Sequence, residues 1–213
     1  MPQTVWIARH GNRIDFVNPD WFLTAQRRYD PHLSTDGVVQ AQELAQRLVP
    51  EPIEHIFVSP FLRTVQTAHE IAKVLHLPLK LEPGLSEWLN PEWMDAMPER
   101  LPPAILAQDY PLIDRLYQPC LDPTYPETRE EMLERAGETA RQLVRRYSGN
   151  LLWVGHGASV VGAAWGLLGD RPKIHASLCC LVQLNHTAHG WDLKLDGSDV
   201  SHLSRPQEKI RLV

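Results

Sequence analysis

Lysine is nearly missing from this 213-residue chain: Lys73, Lys80, Lys173, Lys194 and Lys209 are the only five, so arginine supplies most of the 21 basic residues. Against 26 acidic residues the net charge is -5, and no lysine-rich run is present, which argues against nucleic-acid and anionic-membrane partners. Cysteine is equally sparse. Cys120 and the adjacent pair Cys179 and Cys180 are odd in number and form no Cys-x-x-Cys spacing, which disfavours a disulfide framework and fits a reducing compartment. No apolar run reaches the ~18 residues of a membrane span, and Met1 to Ile7 carries no basic n-region or cleavage site, so the expected setting is the cytoplasm. With 43% hydrophobic and 22% charged residues, the composition is that of a globular protein, and the length predicts one domain over 1–213. The oligomeric state is not legible at this level.

What is present reads as alternating strand and helix. Val5 to Ala8 is a short buried strand ending at Arg9-His10-Gly11. Ser34 is placed to cap a helix whose apolar positions are Val38, Ala41, Leu44, Ala45 and Leu48, stopped by Pro50 and Pro52. Residues 12–33 are therefore a long connection, expected to serve as a lid. Ile56 to Val58 is a second strand, followed by Ser59-Pro60 as the N-cap and first turn of a helix with stripe Leu62, Val65, Ala68, Ala72 and Leu75. Leu79 to Leu81 is a third strand. Eight of the 18 prolines fall between Pro91 and Pro126, which predicts an irregular cap or insertion at about 91–126. Thr128 to Glu131 is a capping box opening a helix that runs toward Gly149 and Asn150. Leu151 to Val154, the turn Gly155-His156-Gly157 and a helix over 158–168 follow, then strands Leu178 to Leu184 and Trp191 to Leu195 around a turn at 185–190. The fold class is α/β, with a mostly parallel central sheet and helices on both faces.

Three of these strands end at polar residues: Arg9-His10, Ser59 with Arg63, and Gly155-His156. In an open parallel sheet the carboxyl ends share one edge, where ligands bind, so distant residues meet there. The gathered set is His10 and His156 with Arg9, Arg13 and Arg63, and fixed guanidinium charge suits a phosphoryl group. His10 is the expected nucleophile, attacking phosphorus to form a phosphohistidine, and the arginines keep it neutral and stabilise the equatorial oxygens. His156 adds a hydrogen-bond donor, aided by the start of its helix. Glu87 is the expected proton donor, its acidity weakened by burial beside Trp88. The scheme needs no metal or cofactor, and the other histidines, among them His55, His69 and His175, lack metal-ligand spacing. Trp21, Phe22, Trp88 and Trp93 are read as packing residues; lining the mouth instead, they would favour an apolar or aryl leaving group.

Arg9-His10-Gly11, Leu33-Ser34-Thr35-Asp36-Gly37 with Gln40-Ala41, Ser59 to Ala68, and Gly155-His156-Gly157 together resemble the histidine phosphatase superfamily, over most of residues 3–170. Arg9 to Asp15, Val65 to His69 and Glu82 to Trp88 are most similar to the phosphatase domain of the suppressor-of-T-cell-receptor-signalling proteins and their single-domain relatives. The resemblance implies a three-layer, phosphoglycerate mutase-like sandwich. It also implies His10 as the phosphorylated residue, Arg9, Arg13, Arg63 and His156 as the phosphate pocket, and Glu87 as the acid. Asn12 departs from the pattern, standing where many relatives carry Glu or another residue, and the mutase sequence after Arg-His-Gly is absent. The expected function is metal-independent phosphomonoester hydrolysis, on a small-molecule or phosphoprotein substrate. The alternatives are phosphoglycerate mutase-type transfer and a non-catalytic phospho-ligand binding module.

Overall fold

The computed structural model describes residues 3–205, so Met1, Pro2 and residues 206–213 of the expected 1–213 domain lie outside the described residues. The chain forms β1 (Thr4–Arg9), the single-turn helices α1 (Ile14–Val17) and α2 (Trp21–Thr24), α3 (Thr35–Leu48), β2 (His55–Val58), α4 (Leu62–Leu75) and β3 (Leu79–Leu81). It continues with α5 (Pro103–Asp109), α6 (Arg129–Arg146), β4 (Leu151–Gly155), α7 (Gly157–Leu168), β5 (Leu181–Thr187) and β6 (Gly190–Asp196). The strands make one six-stranded sheet in the order β3-β2-β4-β1-β5-β6. The first four are parallel, and β5 and β6 add an antiparallel edge.

The buried runs in the central strands are near-continuous because both faces are covered. Along β1, Trp6 and Ala8 point into the core shared with α3 and α4, while Val5 and Ile7 point into the core shared with α6 and α7. This two-sided packing gives the expected three layers. The chain leaves β1 toward α3 on one face and leaves the adjacent β4 toward α7 on the other, so the carboxyl ends of β1 and β4 flank a topological switch point.

Several local expectations hold. Ser34 caps α3 by accepting from the Gly37 N–H, and Thr128 and Glu131 form the reciprocal capping box of α6. Others need correction. Ser59 does not cap α4, which begins at Leu62 with Phe61 at the N-cap; the Leu62 N–H is instead satisfied by Asp30 Oδ1 at 2.7 Å, which frees the Ser59 hydroxyl for other work. β5 starts at Leu181 rather than Leu178, because the backbone turns through Ser177 to Cys180 with Cys179 at φ 50°. The hairpin turn is Ala188-His189, shorter than 185–190, with Gly190 at φ 116° supplying the left-handed conformation.

Segment 12–33 is anchored rather than free at its ends: Ser34 N–H donates to Asn12 O, Ile14 N–H to His32 O, and Leu33 N–H to Gln66 Oε1. Segment 91–126 carries only α5 as regular structure. Buried Glu82 holds part of it down, accepting from the Tyr117 hydroxyl at 2.6 Å and the Cys120 N–H at 2.8 Å. Among the described residues, no helix is long and apolar enough to cross a membrane.

The helices that carry the β4 end of the site pack through small residues. A Cβ added to Gly166 of α7 would lie 2.2 Å from Gly137 Cα of α6, and one on Gly162 would meet Ala136 Cβ at 2.9 Å. Gly166→Ala is expected to force α6 and α7 apart and destabilise the fold by about 1–3 kcal/mol through overpacking, read as a lowered urea midpoint at unchanged slope.

Candidate active site

The residues singled out from the sequence converge on the switch point. His10 follows β1 and continues its ladder through its N–H to Gly155 O, and His156 follows β4 as the N-cap residue of α7. Their rings meet edge to face with centroids 5.3 Å apart. Arg63, in the first turn of α4, reaches the same point: its Nη2 lies 3.1 Å from His156 Nδ1 and 3.4 Å from Glu87 Oε2, and that oxygen is 3.3 Å from His156 Nδ1. Arg9 donates from Nη1 to Ala176 O at 2.8 Å. Arg13 is held on both sides of its fork by Asp15, with Nε to Oδ1 at 2.9 Å and Nη2 to Oδ2, and stacks over Phe16. All six of these side chains belong to buried residues.

The orientation of His10 follows from its neighbours. Its Nδ1 lies 2.7 Å from Gly11 O, which can only accept, so Nδ1 carries the proton and the buried Nε2 keeps a lone pair with no protein partner. Burial first, then the charges of Arg63 and Arg9, hold the His10 imidazole well below its ordinary acidity range and therefore neutral. The loop that presents it passes close against the first turn of α3: a Cβ on Gly11 would lie 2.5 Å from Gly37 O, and one on Gly37 would lie 2.1 Å from Asn12 O. Asn12 is turned away from the histidines, binding Asp36 Oδ2 and Gln40 Oε1 on α3.

His156 is drawn down to about 3, chiefly by burial and then by Arg63 and Arg9, against the opposing pull of Glu87. Burial and the Arg13 charge bring Arg63 to about 10, leaving it protonated at neutrality. Glu87 departs from expectation. Burial alone pushes its carboxyl up, but His156, Arg63 and Arg9 together pull it well below the usual carboxylate range, so it is ionised in the free site. His156 and the two guanidiniums outweigh the apolar surroundings invoked from Trp88, whose backbone N–H also donates to Glu87 Oε1 at 3.1 Å.

Residues beyond the sequence-derived set complete the arrangement. Ser59 Oγ lies 2.8 Å from His156 Nε2, fixing the far side of that ring. Asp30 faces Arg63 at 3.9 Å, and Tyr29 O accepts from Arg63 at 3.5 Å, so segment 12–33 forms one wall of the site. Arg135 of α6 donates to Gly84 O, Ser86 O and Glu87 O and pairs with Glu127, whose Oε1 also accepts the Leu89 N–H. It thereby fixes the backbone on either side of Glu87. Its signal in the sequence is a charged residue on the buried stripe of α6, between Met132 and Ala136. Asp30 gave no such signal, because nothing in an irregular segment foretells which carboxylate turns inward.

His10, Glu87 and His156 place ligand-capable atoms within 4.8 Å of one another, a spacing that could hold a metal ion. Arg9 and Arg63 act on the same three groups electrostatically, which favours an anion there over a cation. A tetrahedral oxyanion with several acceptor oxygens matches the donor set.

Comparison with known proteins agrees. The sequence profile of the histidine phosphatase superfamily (branch 1) matches residues 5–198. The chain is 33% identical over 187 residues to the transcription factor tau 55 kDa subunit of Saccharomyces cerevisiae, covering 80% of this chain and 42% of that protein. It is 26% identical over 208 residues to mouse ubiquitin-associated and SH3 domain-containing protein B, covering 79% of this chain and 33% of that one. The chain thus spans less than half the length of these curated relatives. The crystal structure of the ecdysone phosphate phosphatase of Bombyx mori with tungstate superposes with a TM-score of 0.70 at 24% identity, over 90% of this chain and 92% of that one.

Two outcomes follow from the burial. Arg135→Met leaves the Glu127 carboxylate buried and unpaired, so it is expected to cost about 3–5 kcal/mol, and adding Glu127→Met should recover only the part due to the unpaired charge in a urea double-mutant cycle, because the carbonyls at 84, 86 and 87 stay without their donor. The depressed histidines also make stability pH-dependent: as pH falls below the ordinary 6.5, the unfolded chain takes up protons that native His10 refuses and that native His156 refuses down to about 3, so stability falls with pH. Each contributes up to about 1.4 kcal/mol per pH unit, and His10→Gln should lessen the slope of unfolding free energy as pH falls below 6.

Proposed function

The chain belongs to the histidine phosphatase superfamily, and from that membership we propose that it hydrolyses phosphomonoesters through a phosphohistidine formed on His10. The observation that carries this reading is the unpartnered lone pair of His10 Nε2, held neutral among cationic donors and fixed from behind by Gly11 O. In the first step that lone pair attacks phosphorus in line, the bond to the ester oxygen breaks, and Glu87 transfers a proton to the departing oxygen. The Nδ1–H to Gly11 bond strengthens as positive charge develops on the ring. Arg9, Arg63 and His156 take the equatorial oxygens, with Arg13 on the Asp15 side of the pocket. In the second step water attacks phosphorus, Glu87 accepts its proton, the P–N bond breaks and its electron pair returns to Nε2.

Glu87 is ionised in the free site, so it takes its proton from solvent as the substrate binds. A phosphate dianion placed against the arginines cancels the charge that depresses the carboxyl and raises its affinity for a proton. The carboxylate is then left ionised by the first transfer, ready to act as base in the second. The free thiols of Cys120, Cys179 and Cys180 support a reducing, cytoplasmic setting.

His10→Ala is expected to abolish release of phosphate from phenyl phosphate, and rapid acid-free quenching of the wild type should trap one phosphoryl group on His10. Activity retained by pure His10→Ala protein would overturn the reading. Arg63→Ala should lower kcat by about 10²–10³ through loss of a transition-state donor. Glu87→Gln should cost about 10²–10⁴ on an alkyl phosphate but much less on 4-nitrophenyl phosphate, whose leaving group needs no proton.

A further inference from the structure

Released from helix capping, Ser59 is committed elsewhere only through its backbone: its N–H donates to Val154 O at 3.0 Å, and its carbonyl accepts the Thr64 hydroxyl at 2.7 Å. What remains is a fully buried hydroxyl 2.8 Å from His156 Nε2. The other nitrogen of that ring, Nδ1, faces the site, with Arg63 Nη2 at 3.1 Å and Glu87 Oε2 at 3.3 Å. Phe61 and His10 meet the ring edge to face with centroids at 5.0 and 5.3 Å, so packing holds it in this orientation.

Donor and acceptor roles place the proton. A guanidinium only donates, so Nδ1 accepts from Arg63 and carries no hydrogen. A hydrogen on Nδ1 would reach Glu87 Oε2 only by standing against the Arg63 N–H, two donors 3.1 Å apart. The neutral ring therefore bears its proton on Nε2, and Ser59 Oγ accepts it. That state suits the free site but not an occupied one, because an oxyanion oxygen only accepts and would meet a lone pair at Nδ1. Once such an oxygen takes the Arg63 N–H, Nδ1 loses its donor, and the ring holds the oxyanion only with its proton on that side. A hydroxyl accepts in one state and donates in the other, which neither a backbone carbonyl nor an amide N–H can do.

We propose that Ser59 is a positioning residue that lets His156 carry its proton on Nε2 in the free site and on Nδ1 when an oxyanion binds, its hydroxyl changing from acceptor to donor; this rests on the oxyanion binding proposed above. The ring stays neutral throughout: Nε2 gives one proton to water, Nδ1 gains one from water, and Ser59 Oγ keeps its own hydrogen, turned toward Nε2. His156 thus presents an N–H to the oxyanion only while the site is occupied.

Nitrogen-15 spectra of the histidine rings near pH 7, with His156 assigned through its backbone, test this. In the free protein Nε2 should show the shift of a protonated nitrogen and Nδ1 that of a lone pair, and saturating inorganic phosphate should exchange the two. Ser59→Ala, which neither accepts nor donates, should weaken phosphate binding and lower kcat on phenyl phosphate, each by about five- to tenfold. A proton on Nδ1 in the free protein, two protonated nitrogens in the phosphate complex, failure of phosphate to bind, or an affinity unmoved in Ser59→Ala would overturn the proposal. Should Ser59→Ala not fold, the wild-type spectra decide alone. Exchange of the two shifts in a protein that turns over no ester would uphold the role of Ser59 and sink the hydrolysis.

Discussion

Everything in this site depends on holding cationic charge where water cannot screen it. Arg9, Arg13 and Arg63 are buried, together with the imidazoles of His10 and His156 and the carboxylates of Asp15, Asp30 and Glu87. In such a place each guanidinium acts on its neighbours at far more than its strength in solvent. Burial first, and the guanidiniums with it, keep both histidines neutral, while His156, Arg63 and Arg9 keep Glu87 ionised although burial pushes the other way. The free site therefore surrounds a neutral imidazole with cationic donors, and the reaction proposed for His10 requires no separate device to deprotonate it.

Such a concentration of charge is costly unless counter-charges and backbone acceptors surround it, and the fold supplies both from several directions. Asp15 takes Arg13, Ala176 O takes Arg9, and Asp30 with Tyr29 O stands against Arg63. Arg135 and Glu127 do comparable work one layer further out, pinning the backbone at residues 84–89 so that Glu87 reaches the cluster at fixed geometry. The tight crossing of α6 and α7 belongs to the same scheme, because α6 carries Arg135 and α7 carries the N-terminus behind His156. A disturbance at Gly166 or Arg135 thus reaches the chemistry without touching a substrate atom.

The parts legible in the sequence are those governed by short-range rules. Apolar runs marked β1, β2, β3 and β4, cap residues marked α3 and α6, and strand-end polar residues marked the edge where His10, Arg63, Glu87 and His156 meet. Local rules failed where a distant group supplied the hydrogen bond. Ser59 looked like a helix cap because it precedes a proline, but Asp30, thirty-two residues before Leu62, satisfies that helix and releases Ser59 to hold His156. The state of Glu87 was misjudged for the same reason: its neighbour in sequence is apolar, while its neighbours in space are cations. Arg135 shows a middle case, since its place on an apolar stripe is visible and its partners are not.

Glu87 stands at the boundary between two media, and that position joins binding to chemistry. On one side are the guanidiniums that keep it ionised; on the other is a wall of indole and aliphatic surface. On the hydrolysis proposed above, an incoming ester changes both at once, because its phosphate offsets the cations and its organic part displaces water from the apolar side. Both changes raise the carboxyl's hold on a proton, and both require a complete substrate. Inorganic phosphate supplies only the first. On the mechanism proposed above, an ester whose organic part dries that face of Glu87 therefore helps to create the acid that releases it.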